Sequence, residues 1–322
     1  MTYQPTFFDK LPADRILKKQ EKKGIEPYVF DDDIALAVDV ALATSRPLLV
    51  TGNPGSGKSR LAEAIAAVQG WNFLSITITS RTRLETLTAE VDQLRRLNDA
   101  QVRGEMAGVK PDACYLSPGI FWWAFQPDTA AWRGLDESGR KDHPDARLDC
   151  PGVDRGKGQA NATVLLIDEI DKAEPDLPND LLEPLDRRSF DLPDGFRVQD
   201  GNKIHCPEGA RLLTLITTNG ERQLPQAFLR RCVLLELPDP PPAKLVDIAL
   251  KHYPKGNHKR IHALADLMPG YRQTAKDQQR RLPGVSEFLD AVVACESLKI
   301  NYSSQPDSLW KKIEMAVLLK KS

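Results

Sequence analysis

Residues 52–59 read GNPGSGKS: Gly52, Asn53, Pro54, Gly55, Ser56, Gly57, Lys58 and Ser59. An apolar run ending in LLVT precedes them, and KSRLAEAIAAVQG, with helical apolar spacing and a closing Gly70, follows. Strand, glycine-rich turn and helix in that order suit a backbone that curls its N–H groups around phosphate oxygens, because glycine adopts the positive φ that such a curl needs. The helix N-terminus adds the positive end of its dipole. In such a cradle Lys58 is expected to reach the terminal phosphates of a nucleotide and the Ser59 hydroxyl to coordinate Mg²⁺.

Two further stretches acquire meaning from this one. VLLIDE (164–169) is a buried strand ending in two acids. Asp168 is expected to hold Mg²⁺ through water, and Glu169 to orient and deprotonate an attacking water. Two acids downstream of a phosphate loop favour hydrolysis over transfer to a small molecule, which would not need Glu169. Asn219 closes the run LLTLITTN. If its strand lies beside the one ending at Asp168, its amide reaches the same water or the γ-phosphate. Taken alone, Asn219 reads as the start of a turn before Gly220.

Composition narrows the class without choosing a function. The chain has 322 residues, 41% hydrophobic and 28% charged, with a formal net charge of −1, as expected of a soluble protein of one large domain or two. Nothing global points to nucleic acid or to an anionic membrane. No apolar run approaches the roughly eighteen residues of a membrane span, and the N-terminus lacks the apolar core of a signal peptide, so a cytoplasmic location is expected. Cys114, Cys150, Cys206, Cys232 and Cys295 are scattered and form no CxxC pair, which favours neither disulfides nor zinc. His252, His258 and His262 read as spaced surface residues.

Along the chain, residues 1–27 form a polar arm with Phe7, Phe8 and Leu11 as its apolar cluster. FDDDIALAVDVALATS predicts a helix entered through aspartates. WNFLSITITS predicts a second strand. The spacing of Leu84, Leu87, Val91, Leu94 and Leu97 predicts one amphipathic helix from 84 to 102. Arg133 to Ala160 reads as a long exposed loop. PDLPNDLLEPLDRR (175–188) predicts a helix, SFDLPDGFRVQDGNKIHCPEG a hairpin, and VLLELP a fifth strand. After the proline run near 240 only helical patterns follow, and Lys244–Arg281 holds nine Lys/Arg against three Asp/Glu. This predicts an α/β domain over 28–240, with an insertion at about 80–160, and a small helical domain over 241–322.

GNPGSGKS, LLIDE, TTN and AFLRRC, followed by helices, resemble in order and spacing the AAA+ ATPases and, within them, the MoxR-like group. SPGIFWWAF (117–125) is similar to a Pro-Gly-aromatic element of that group. The resemblance implies a P-loop NTPase fold: a three-layer α/β/α core around a five-stranded parallel sheet, with a C-terminal α-helical lid. It implies ATP and Mg²⁺ as cofactors, and the Walker A and Walker B roles for residues 52–59 and for Asp168 with Glu169. Asn219 takes the sensor 1 role, and Arg230 and Arg231 the arginine-finger role, acting on the nucleotide of a neighbouring subunit with Arg231 slightly favoured. Where a sensor 2 arginine is expected the chain has Gly284, leaving Arg280 or Arg281 as substitutes. The implied assembly is a ring, commonly a hexamer, that remodels or chaperones a protein partner carrying a von Willebrand A-type domain. The alternative is a nucleic-acid-dependent ATPase or a restriction-type GTPase of a defence system, for which the basic stretch is the only support. Base contacts would come from backbone near Tyr28 and Val29, which leaves ATP and GTP undistinguished. The aromatic set Phe121, Trp122, Trp123 and Phe125 either grips a substrate or packs the core, and packing is the better reading.

Overall fold

Five apolar runs pair into one parallel sheet: β1 (Leu48–Thr51), β2 (Asn72–Thr77), β3 (Ala162–Asp168), β4 (Arg211–Thr218) and β5 (Val233–Glu236), in the order β5-β1-β4-β3-β2. The computed structural model describes residues 7–21, 24–102, 110–151, 162–198, 201–300 and 308–319. The inner strands are covered on both faces, which is why LLV, TVLLI and LLTLI show no alternation. Helices α1 (Asp32–Thr44) and α2 (Lys58–Gln69) share one apolar cluster with Leu48, Val50, Val164 and Leu215. Leu49, Leu165, Ile167 and Ile216 face a second cluster on the other side. The fold is thus the α/β P-loop type expected from the sequence. β1 connects onward to β2 on one side, while its neighbour β4 connects to β5 on the other. Connections from these two adjacent strands thus leave in opposite directions, and the crevice at the carboxyl ends of the strands opens beside the loop that follows β1.

Between β2 and β3 the structure corrects the reading in two places. Residues 84–102 are not one helix: a turn at Leu84–Leu87 gives way to a strand at Ala89–Val91, and α3 (Gln93–Val102) follows. The break is at Thr88, whose hydroxyl bonds back to the Leu84 carbonyl at 2.9 Å while its own carbonyl accepts from Gly119. Ala89–Val91 then pairs antiparallel with Leu116–Pro118. Tertiary pairing overrides the helical spacing there, and Leu94 and Leu97 are left exposed.

Nor is Arg133–Cys150 an open loop. Arg133 is buried and donates to the Ala146 and Leu116 carbonyls, and a helix at Glu137–Asp142 is capped by the Asp136 carboxylate, which accepts from the Gly139 N–H at 2.8 Å. The remainder of that stretch, 152–160, lies outside the described residues.

The aromatic run falls on α4 (Ile120–Phe125) and is core. Phe121, Trp122, Trp123 and Phe125 are all buried, and the Trp122 indole N–H donates to Thr129 Oγ1 at 2.9 Å. Truncating Trp122 to alanine is expected to cost about 3–5 kcal/mol. The helix read over 175–188 is two short turns, Leu177–Asp180 and Leu182–Asp186, since Pro184 has no N–H with which to continue the ladder. The hairpin is present as Ser189–Asp191 against Lys203–His205.

The N-terminal segment docks on the sheet's α1 side. Phe7, Leu11, Leu17 and Ile25 join the apolar cluster there, and the Asp39 carboxylate accepts from the Phe7 and Phe8 N–H groups. Ile16–Leu17 pairs with Tyr28–Val29. Beyond residue 240 the described chain is helical: α5 (Pro242–His252), α6 (His258–Asp277), α7 (Val285–Ser297) and a short helix at Leu309–Ile313. These helices enclose a cluster of their own around Leu245, Met268, Phe288 and Trp310. Among the described residues no helix is long and apolar enough to cross a membrane.

Candidate nucleotide site

The loop from β1 to α2 has the backbone its glycines promised. Gly55 and Gly57 sit at φ +80° and +94°, and Gly57 is the residue from which α2 starts. Lys58 is buried, and its ammonium donates to the Gly52 carbonyl at 2.7 Å and the Asn53 carbonyl at 3.0 Å, leaving one of its three protons for a ligand. Burial pulls the Lys58 pKa below that of a free lysine, with Arg281 adding to the fall, while Asp168, Asp171 and Glu169 oppose it. The Ser56 hydroxyl is buried in the same loop without a partner among the described residues. Asn53 is tied down from outside, its amide donating to Asp239 Oδ2 at 2.8 Å.

β3 delivers its acids to this loop. Ser59 Oγ lies 2.9 Å from both Asp168 carboxylate oxygens, so hydroxyl and carboxylate form a ready oxygen donor set for a hard divalent cation. A glycine-bent loop at a helix N-terminus, a spare ammonium proton, an unpartnered hydroxyl and this oxygen pair fit a Mg²⁺–nucleoside triphosphate. Glu169 follows in left-handed backbone, φ +61°, an uncommon conformation for a side-chain-bearing residue that turns the chain sharply off the strand. Its carboxylate is held by Lys172 at 2.6 Å, and that hydrogen bond raises the Lys172 pKa.

β4 lies between β1 and β3, so Asn219 sits beside the strand ending at Asp168, which was the condition attached to its role. Its backbone N–H donates to Asp171 Oδ2. Thr217 and Asp171 are the residues that sequence reasoning passed over. The Thr217 hydroxyl accepts from the Glu169 N–H at 2.9 Å and donates to Asp168. Asp171, two residues beyond Glu169, was legible only as one more charge in DEIDK.

The two arginines are placed differently. The helix that leads to them, Gln226–Leu229, is one turn long and ends before Arg230. Arg231 is tied to its own chain, with Nε on Asp186 and Nη1 on the Ala227 carbonyl. Arg230 is exposed, and among the described residues its side chain has neither a hydrogen bond nor an ion pair.

α7 closes the other side of the cradle. The Val285 and Ser286 N–H groups donate to the Gly55 carbonyl at 3.0 and 3.2 Å. A Cβ on Gly284 would stand 2.8 Å from the Pro54 carbonyl oxygen, so no arginine fits at this position. Arg281 pairs with Glu287 at 3.5 Å, and of the two candidates it is the one whose charge bears on Lys58. From Gly55, Ser56 and Gly57 a cavity of about 460 Å³ runs past Tyr28, Leu237 and Leu289 to His252, wide enough for a base and sugar. Burial raises the Tyr28 pKa and lowers that of His252.

A phosphate-binding loop, an acidic strand end and a polar strand end on one parallel sheet, with helices folded over the cradle, define a nucleotide-binding α/β protein. The family model of the AAA domain (dynein-related subfamily) matches residues 47–232, more than half of the chain, which therefore belongs to that family. No curated protein matched the chain.

Proposed function

We propose that this chain is a Mg²⁺-dependent ATP hydrolase that works as a ring, of six subunits, and spends turnover on remodelling a protein partner, as the MoxR-like resemblance implies. One contrast carries the reading. Lys58, Ser59, Asp168, Glu169 and Asn219 converge at the ends of three adjacent strands, whereas Arg230 faces outward with no side-chain partner among the described residues. Beyond Arg281 on the lid, a second guanidinium is the group such a site can take from a neighbour, since it stays charged and matches phosphate oxygens in a bidentate way. Arg230, rather than the tethered Arg231, is the better finger.

Within the subunit, Lys58 and the loop amides bind the phosphates, and Ser59 with Asp168 holds the metal. Glu169, once released from Lys172, accepts the proton of the attacking water, and the Asn219 amide orients that water. Arg281 faces the phosphates from the lid side. Held by Ser59 and Asp168, Mg²⁺ would supply neutralisation of phosphate charge. The basic stretch supports the lid reading over nucleic acid, because Lys244, Arg260, Arg272 and Arg281 are each engaged within the chain. A partner with a von Willebrand A-type domain remains the partner class to test first.

Light scattering of Glu169→Gln with ATP and Mg²⁺ tests the assembly. A ring that forms with nucleotide, and a wild-type rate per subunit that rises with protein concentration, are expected. A monomer under every condition, turning over at a rate independent of concentration, would sink the proposal. The same trapped ring is the bait with which to identify the partner.

A further inference from the structure

The parallel pairing of β4 with β3 stops at Ile216 and Ile167, one residue short of the acids. Every residue assigned to hydrolysis on these strands lies beyond that point. There β4 stays paired with β1 as far as Thr218 and β3 with β2 as far as Asp168, but β3 and β4 are no longer paired with each other. Side chains take over. Thr217 Oγ1 accepts from the Glu169 N–H at 2.9 Å. Asp171 Oδ2 accepts from the Asn219 and Glu221 N–H groups, each at 3.0 Å. Asp171 is 2% exposed and Thr217 fully buried, so neither is a solvated surface polar group. The Asp171 charge also acts on Lys58, together with those of Asp168 and Glu169.

We infer that Asp171 and Thr217 form a two-point clamp that sets the spacing between Glu169 and Asn219, and that Asp171 is the positioning residue for the Asn219 side chain. This rests on the hydrolase reading above. A carboxylate oxygen shared by two successive-turn amides fixes the direction of both peptide planes, and with them the Cα–Cβ vector of Asn219. Charge-assisted bonds of this kind are roughly twice as strong as neutral ones, which suits a turn otherwise exposed at Gly220 and Glu221. At the other point, the Thr217 hydroxyl fills both of its roles at once, as acceptor from the Glu169 backbone and donor to Asp168.

Two measurements on the full chain decide it. In hydrogen exchange, the wild-type Asn219 and Glu221 amides should be protected, Asp171→Ala should lose that protection, and Asp171→Asn, which keeps an acceptor oxygen, should retain a large part of it. This arm needs no turnover, so it stands even if the protein proves not to hydrolyse ATP, a result that would remove the hydrolase reading instead. In steady-state assays, Asp171→Ala should lower kcat at least tenfold with KM and nucleotide affinity within twofold, and Asp171→Asn should recover most of the loss. Combined with Asn219→Ala, Asp171→Ala should add less than a further twofold. If Asp171→Ala does not fold, Thr217→Val against Thr217→Ser supplies the same comparison at the other point of the clamp. Unprotected wild-type amides, an Asn variant as impaired as Ala, or multiplicative losses in the double mutant would each overturn the assignment.

Discussion

The phosphate cradle and the arginine turn are built to opposite standards of self-sufficiency. Around Lys58 the chain supplies its own partners: two carbonyls for the ammonium, an aspartate for Asn53, a carboxylate for Ser59 and two lid amides for Gly55. At the arginine turn, one residue along from a well-tethered Arg231, Arg230 projects into solvent. A region closed on itself is preorganised for a ligand that arrives alone. A region whose exposed cation has no side-chain partner among the described residues is suited to a site on another molecule.

The sharpest way to break this comparison is to exchange the two arginines' fates. Arg230→Ala should reduce turnover about 10³-fold while leaving nucleotide affinity within about twofold, the size expected of a lost arginine finger. Arg231→Ala should stay within about tenfold. Mixing Arg230→Ala with Lys58→Ala subunits should restore activity, because each supplies what the other lacks. Equal losses for both arginines in turnover assays, or no recovery on mixing, would remove the distinction. A smaller effect is expected on the closed side. Gly284→Ala puts a methyl against the Pro54 carbonyl and should weaken nucleotide binding roughly tenfold, as overpacking of about 1–3 kcal/mol would. Unchanged affinity by fluorescent-nucleotide titration would show that the lid does not shape the cradle.

Least of all should come from Lys172→Ala. The pair with Glu169 is largely exposed and worth at most about 1 kcal/mol, so basal turnover should rise by no more than a few-fold. A fall in rate would mean instead that Lys172 helps to hold Glu169 in its working position.

Much of this was legible in the sequence because it is local. GNPGSGKS carries its own conformational code, and the unbroken apolar runs around it could only be strands buried on both faces. The strand ends followed from the acids and Asn219. Misreadings came where a local pattern met a long-range demand. Leu84–Val102 has helical spacing, yet Ala89–Val91 is claimed by a strand 27 residues away in pairing. Arg133–Cys150 is polar in composition, yet it is organised around one buried guanidinium. Asp171 was invisible for a related reason, since its two partners lie 48 and 50 residues away and are backbone amides, which leave no trace in residue identity.

The contact between α7 and Gly55 has a mechanical consequence. The Gly55 carbonyl and the Ser56 N–H belong to one planar peptide unit. Its carbonyl end is gripped by Val285 and Ser286, and its N–H end by the Asn53 carbonyl, the same oxygen that accepts from the Lys58 ammonium. Tilting the C-terminal helices would turn one end of that rigid plate, and the opposite end would shift the Asn53 carbonyl on which the Lys58 ammonium rests. A force applied to the outer helices by anything they touch would therefore register at the ammonium through a single peptide.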